Sequence, residues 1–225
     1  MASDDLLDNF CWAALTGPQR RFGEFLGRAA RFQPELLPVA AMDDNSDSAA
    51  WRDLAVLAGG RQTLVVARNV VAPHDWTTVR EVPIRQMVDD GAEAAPDPEA
   101  RILGPDDVPA MMNLLSVSPP GGPFLKRTPE LGTFLGLWRD DRLIAMAGER
   151  IRVDGWTEIS AVVTDPQYRG RGYASRLVRA LSAEIHARGD RVFLHIGNEG
   201  LVKLYERLGF AVRAEITMGM YVRQV

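Results

Sequence analysis

The clearest periodicity in the chain runs over residues 173–187. Leu177, Val178, Leu181 and Ile185 recur there at helical spacing between charged positions, which predicts a long amphipathic helix. The β-rich segments 192–196 and 210–222 predict a strand and a final strand pair, and a helix over 199–208 ends at Gly209. Upstream, strands are expected over 100–103, 133–138, 142–153 and 156–164. Pro105 with Asp106 and Asp107 opens a helix running to about Leu115, and the Pro119-Pro-Gly-Gly-Pro123 run forbids regular structure. Strands, helix, strand, helix and strand in this order predict an α/β fold with a mixed sheet that begins largely antiparallel.

The first hundred residues read as mostly helical. Helices are expected from a Ser3 cap to Ala14 and over 20–31, where Phe22, Phe25, Leu26 and Ala29 are helically spaced. A third is capped by Ser46 or Asp47, buries Trp51, Leu54 and Leu57, and ends at Gly59-Gly60. Strands are expected over 62–67 and 76–82. Residues 89–100 are acidic, rich in Ala and Pro, and lack large apolar side chains, so they read as a connection. The expected division is an accessory region over 1–95 and a second domain over 96–225.

Composition changes the picture in a few places. A chain of 225 residues with 46% hydrophobic and 25% charged residues buries a core without a staple. The single cysteine, Cys11, excludes an internal disulfide and reads as a buried thiol among Phe10, Trp12 and Leu15. With three histidines besides, no metal site is expected. No apolar run is long enough to span a bilayer and the amino terminus is acidic, so no membrane partner and a cytoplasmic location are expected. Residues 1–100 carry 9 basic and 16 acidic side chains, and the remainder 17 and 14. The positive half is therefore where an anionic ligand belongs, while the acidic whole argues against nucleic acid.

One segment carries chemistry. A strand ending near Thr164 leads through Asp165-Pro-Gln-Tyr-Arg169-Gly170-Arg171-Gly172 into the helix beginning Tyr173-Ala174-Ser175. Unpaired amides at a helix start carry partial positive charge, and glycines admit a ligand to the backbone. Arg169 and Arg171 add charged donors. The loop therefore suits a phosphate; otherwise it is a surface turn capping a helix. Neither a Gly-x-x-x-x-Gly-Lys nor a Gly-x-Gly-x-x-Gly pattern is present, which disfavours nucleoside triphosphates and dinucleotides.

Arg169-x-x-Gly172-x-Ala174 resembles the Gln/Arg-x-x-Gly-x-Gly/Ala signature of the GCN5-related N-acetyltransferase superfamily. Asn198-Glu-Gly-Leu201-Val-Lys-Leu-Tyr205-Glu-Arg-Leu-Gly209-Phe210 is similar to that family's second block, with Leu201 where Ala is usual. Together the blocks cover residues 100–225. The wording around Trp156 and the loop is similar to the FR47-like, glycine N-acyltransferase-like branch, whose members often carry a degenerate second half over a region such as 1–95. The resemblance implies acetyl-CoA, or another acyl-CoA, as cosubstrate. Its pyrophosphate would lie on Arg169, Gly170, Arg171, Gly172, Tyr173, Ala174 and Ser175, and its pantetheine arm along Val162, Val163 and Thr164. The two strands 156–164 and 191–196 would part to admit it. The acceptor would be a primary amine of a small molecule, amino acid or peptide, and the protein a monomer or homodimer.

The same resemblance makes Tyr205 the general acid for the leaving thiolate. A helix tyrosine packed on the sheet is the alternative. Glu158, eleven residues before Arg169, is the first candidate base, expected to have its pKa raised in an apolar cleft. Its alternative is a carboxylate paired with an arginine such as Arg150. His195 is the rival base, water is a third, and a backbone-satisfied histidine is the bland reading. Asn198 binds the cofactor arm or caps the following helix. An acetyltransferase-fold protein that binds CoA without turnover is the competing function.

Overall fold

A computed structural model describes residues 4–224. Among these, eleven strands form one sheet in the order β1-β2-β3-β4-β11-β5-β10-β9-β8-β7-β6. The amino-terminal region supplies β1 (Gly23–Leu26), β2 (Ala29–Phe32), β3 (Val39–Met42), β4 (Thr63–Ala67) and β5 (Trp76–Asp89). The rest supplies β6 (Arg101–Ile102), β7 (Phe134–Arg139), β8 (Arg142–Val153), β9 (Trp156–Thr164), β10 (Arg191–Ile196) and β11 (Phe210–Arg223). Five α-helices pack on it: α1 (Phe10–Thr16), α2 (Ser48–Ala58), α3 (Val108–Val117), α4 (Tyr173–Ala187) and α5 (Val202–Glu206).

The chain's last strand does not stay with its own half. β11 lies between β4 and β5, antiparallel to both, and β5 in turn pairs with β10. The two halves thus share their central strands.

Strand alternation sorts the layers. On β10, Phe193 faces the cluster holding Leu7, Phe10, Cys11 and Leu15, whereas Val192, Leu194 and Ile196 face Leu177, Leu181 and Ile185 of α4. Hence α1 and α4 cover opposite faces. α2 packs Trp51 and Leu54 against Trp76 and Tyr221, and α3 packs Met111 and Leu114 against Phe134 and Val163.

Several expected elements stand as read. α4 has the expected bounds, and α2 begins after Asp47, whose side chain accepts from the Ala49 amide at 2.7 Å. Other expectations need correction. The helix over 20–31 is instead a single helical turn (Arg20–Phe22) followed by the β1–β2 hairpin. Gly27 makes its turn at φ +52°, where a Cβ would collide with the Asp53 carboxylate, and that carboxylate accepts from the Arg28 amide at 2.8 Å. The pair of strands over 210–222 is one long strand with irregularities at Val212/Ala214 and Met220/Tyr221. The strand from Trp76 runs on to Asp89, because β11 and β10 pair with it along that length. The helix over 199–208 is one 3-10 turn plus the short α5. Ser3 lies outside the described residues.

The acidic stretch after β5 is bound to α4. Asp97 holds Arg176 through two bonds of 2.6 and 2.8 Å, and the Ala95 amide donates to the Arg179 carbonyl at 3.2 Å.

Candidate active site

The site begins where a ladder ends. β9 and β10 pair in parallel at Arg191–Trp156, Val192–Thr157 and Phe193–Glu158, and no further rung follows. β9 continues to Thr164 and β10 to Ile196, so the two strands part above Glu158. Within the parted length Ala161 sits at φ +51°, in the left-handed region, beside a break in register with β8. The β9 edge facing β10 is thereby left with backbone groups free of the ladder.

Beyond β9, Gly170 and Gly172 take φ +76° and +79°, and nothing lies within 4 Å of where a Cβ would stand on either. Gly172 precedes α4, whose first bond across the boundary runs from the Arg176 amide to the Gly172 carbonyl at 3.0 Å. The amides of Tyr173, Ala174 and Ser175 precede that bond and point out of the helix start. Arg169 donates to the Thr164 carbonyl at 3.3 Å and to Ser118 Oγ at 3.0 Å, so it braces the loop against the end of α3. Arg171 stays exposed, its guanidinium 5.3 Å from the centre of the Tyr168 ring. The hydroxyl of Thr164 is buried without a partner at the end of β9. An open glycine cradle, the amides of a helix start, an exposed cation and an orphaned donor at the head of a parted strand pair suit an anionic ligand. Of the strand residues expected to line a cofactor arm, Val162 and Thr164 are half-buried, whereas Val163 turns away into the α3 cluster.

Tyr205 packs on the α4 face beside Ile196 and Phe210. Burial pushes its phenol up to about 12. The hydroxyl makes no hydrogen bond to any described residue, yet it is absent from the polar atoms sealed away from solvent. A neutral O–H with no competing partner is thus available at the α4 side of the fork.

Glu158 and His195 lie on the other face, under α1. The expectation of a raised Glu158 pKa is corrected by its surroundings. Burial alone would raise it, but the Arg150 guanidinium and the His195 N–H outweigh burial and hold it down to about 2. Arg150 Nε and Nη2 donate to its two oxygens at 2.9 and 2.8 Å, and His195 Nδ1 lies 2.8 Å from Oε1. This is the arginine-paired arrangement named as the alternative. His195 is equally engaged: Gln86 Nε2 lies 3.1 Å from its Nε2 and donates to the Leu7 carbonyl at 2.9 Å, and Phe10 packs on the ring at 4.6 Å. The Gln86 oxygen accepts from Arg213 at 2.8 Å, so its nitrogen faces the imidazole and the network assigns the proton to Nδ1. Cys11 is buried, and burial followed by the Glu158 charge pushes its thiol up. Asn198 caps the turn after β10 by accepting from the Gly200 amide at 2.9 Å.

Sequence reasoning missed both buried glutamines. Gln86 joins the halves at His195. Gln19 fills the irregular part of β8, donating to the Arg150 carbonyl at 2.9 Å and accepting from the Arg152 amide at 3.2 Å.

The sequence and the fold have counterparts among known proteins. The model of the FR47-like protein family matches residues 134–218. A crystal structure of an acetyltransferase from the GNAT family of Novosphingobium aromaticivorans is 36% identical, with a TM-score of 0.88 over 97% of this chain and 99% of that one. A GCN5-related N-acetyltransferase from Kribbella flavida shares the fold at 20% identity, with a TM-score of 0.63 over 93% of each chain. An uncharacterized N-acetyltransferase of Bacillus subtilis, YobR, is 29% identical over 93 residues, which span 40% of this chain and 37% of that protein's length. On the full-length likeness above all, the chain belongs to the GNAT family of acetyltransferases, with an FR47-like segment in its carboxy-terminal half.

Proposed function

We propose that the chain is an acetyl-CoA-dependent N-acetyltransferase that moves an acyl group from CoA to a primary amine by direct attack. The observation that carries this reading is the fork itself: the β9–β10 ladder stops at Glu158–Phe193, β9 runs on from there toward an open glycine loop, and a phenol with no hydrogen-bond partner among the described residues packs in the cluster that holds Ile196 at the end of β10. CoA would supply the thioester and a thiol leaving group. The amides at the start of α4, with Arg171, hold the phosphates, and the free β9 edge from Val162 to Thr164 aligns the arm. Tyr205 donates its proton to the departing sulfur from the α4 side. Glu158 and His195 are already committed to each other and to Arg150 and Gln86, so the amine's proton leaves through water at the fork. Residues 1–95 act as an accessory half whose α1 and β5 wall the opposite face.

The committed state of both base candidates also favours a second reading, a GNAT-fold protein that binds CoA without turnover. Calorimetric titration with acetyl-CoA, with ATP and NADPH as controls, tests the first element of both. Binding of acetyl-CoA alone is expected. Release of the CoA thiol with a panel of amines then separates the enzyme from the silent binder. No binding to the folded protein overturns both.

A further inference from the structure

The strand connectivity of the fork is present twice. β9 and β10 follow the antiparallel strands β7 and β8 and enclose α4; β3 and β4 follow the antiparallel strands β1 and β2 and enclose α2. Each parallel pair is flanked by an antiparallel strand from the other half, β5 beside β10 and β11 beside β4, and β5 pairs with β11 between them. The second parallel pair also parts. Its ladder consists of Val39–Leu64 and Ala40–Val65, and beyond these rungs β3 runs on to Met42 and β4 to Ala67.

The second fork is furnished in the opposite way. Where Arg169-Gly-Arg-Gly172 precedes α4, Asp44-Asn-Ser-Asp47 precedes α2. The Asp47 carboxylate takes the Ala49 amide of the helix start, and Arg28 holds Asp43 through Nε, at 2.8 Å to Oδ2, and Asp47 through Nη1. Carboxylates and a spent amide are the reverse of an anion site. The gap between the strands is filled by the chain itself. Asn9 Nδ2 donates to the Met42 carbonyl at the end of β3 at 2.7 Å, and the Arg68 amide just past β4 donates to the Asp8 carbonyl at 2.8 Å. Asp8 and Asn9 thus bridge the parted strands. The Asn9 side-chain oxygen is buried with no partner among the described residues, so its donor alone holds the carboxamide in place.

The residues on either side of this bridge reach the open fork. The Leu7 carbonyl accepts from Gln86 at 2.9 Å, and the same Gln86 nitrogen faces His195. The Phe10 ring centre lies 4.6 Å from that of His195 and 5.8 Å from that of Phe193. Phe193 is the last rung of the open fork, and His195 stands on the parted length of β10. We infer that the amino-terminal fork is a socket for the chain's own Asp8 and Asn9 and not a second cosubstrate site, and that Asn9, seated there, is a positioning residue that fixes Leu7 and Phe10 against the His195 side of the open fork. With the acyl carrier on the α4 side, the α1 side is the one left to the amine. Unseating Asn9 is therefore felt by the acceptor and not by the carrier. This consequence rests on the acetyltransferase reading; the socket itself does not.

The test uses Asn9→Asp, which keeps the shape but sets an oxygen without a proton against the Met42 carbonyl. Asn9→Ser is the milder variant, read in the same way should the first fail to fold. Three measurements are made well below the melting temperature. Calorimetry should find one acetyl-CoA per chain in the wild type and in the variant. Nuclear magnetic resonance should show the ring protons of His195 shifted in the variant, because Phe10 has moved, while those of His74 and His186 hold. CoA thiol release with the best amine of the panel should lose about 10–100-fold in kcat/KM for the amine, the scale of a small misplacement, with the KM for acetyl-CoA within about twofold. Two acetyl-CoA per chain would overturn the socket. Unmoved His195 resonances, an equal loss toward amine and acetyl-CoA, or a lowered melting temperature with kcat/KM intact would each overturn the positioning role. Failure of the wild type to bind acetyl-CoA at all defeats the acetyltransferase reading, and the His195 resonances then still decide whether Asn9 holds Phe10 in place.

Discussion

Gln86 on β5 lies 3.1 Å from Nε2 of His195 on β10, 109 positions further along the chain. The contact joins the two halves by their polar interiors, since Gln86 is fully buried and its remaining groups meet the Leu7 carbonyl and Arg213. Replacing Gln86 with Leu removes a donor from the imidazole and a partner from the Leu7 carbonyl. An unsatisfied buried group costs about 1–3 kcal/mol, so Gln86→Leu should lower the urea midpoint accordingly. The KM for acetyl-CoA should hold, because the glutamine lies on the face opposite α4. An unchanged midpoint would mean that water replaces the amide without cost.

The acid limb of stability should belong in part to Glu158. Its carboxyl is held near 2 in the folded chain, below the ordinary 4.5, with Arg150 and His195 overcoming burial. A depressed pKa stabilises the fold wherever the group is ionised in both states, and the stabilisation is lost as pH falls from about 5 toward 2. Glu158→Gln should therefore flatten the stability curve over that window. Near neutrality the variant should be less stable by roughly 3–5 kcal/mol, because a buried Arg150 loses its counter-charge. Urea midpoints of both proteins at neutral and acid pH check this. Parallel curves would show that the pair contributes nothing to the acid limb. The carboxylate stays ionised across the neutral range, so it should place no limb on the rate profile there.

The residues that were legible in the sequence are those whose signal is local. The glycine loop and α4 follow from a phosphate-type turn feeding an amphipathic stripe, all within twenty residues, and α4 has its expected bounds. The hairpin over β1 and β2 was not legible, because Phe22, Phe25, Leu26 and Ala29 suit a helix and the deciding Asp53 lies on α2. β5 shows little alternation over its exposed first half, and its length is dictated by β11 from the far end of the chain. The Arg150–Glu158 pair could be named as an alternative from eight residues' separation. Gln19 and Gln86 could not, since their partners lie from 79 to more than a hundred residues away.

The two loop arginines should separate experimentally. Arg171 is exposed and makes only local contacts, to the Gln167 carbonyl at 3.5 Å and over the Tyr168 ring, whereas Arg169 ties the loop to Thr164 and Ser118. Arg171→Ala should raise the KM for acetyl-CoA with little change in kcat, and the increase should shrink at high salt. Arg169→Ala should also lower the melting temperature, because it unfastens the loop from β9 and α3. Identical behaviour of the two variants would mean that the brace is dispensable.

Tyr205 is the residue on which turnover should depend most. Its phenol is pushed up to about 12 by burial, so it stays protonated through the whole working range and contributes no limb to the rate profile. The same shift makes it a weaker acid, and proton transfer to sulfur must be concerted with departure of the thiolate. Tyr205→Phe should reduce kcat by about 10²–10⁴-fold, the usual contribution of a positioned acid, and leave the KM for acetyl-CoA nearly unchanged. Stability is the discriminating control. The hydroxyl bonds to no described residue, so its removal should shift stability by no more than about 0.5 kcal/mol, the range of an inconsequential substitution. A large loss of stability would recast Tyr205 as a packing residue, and an intact kcat would remove it from the chemistry.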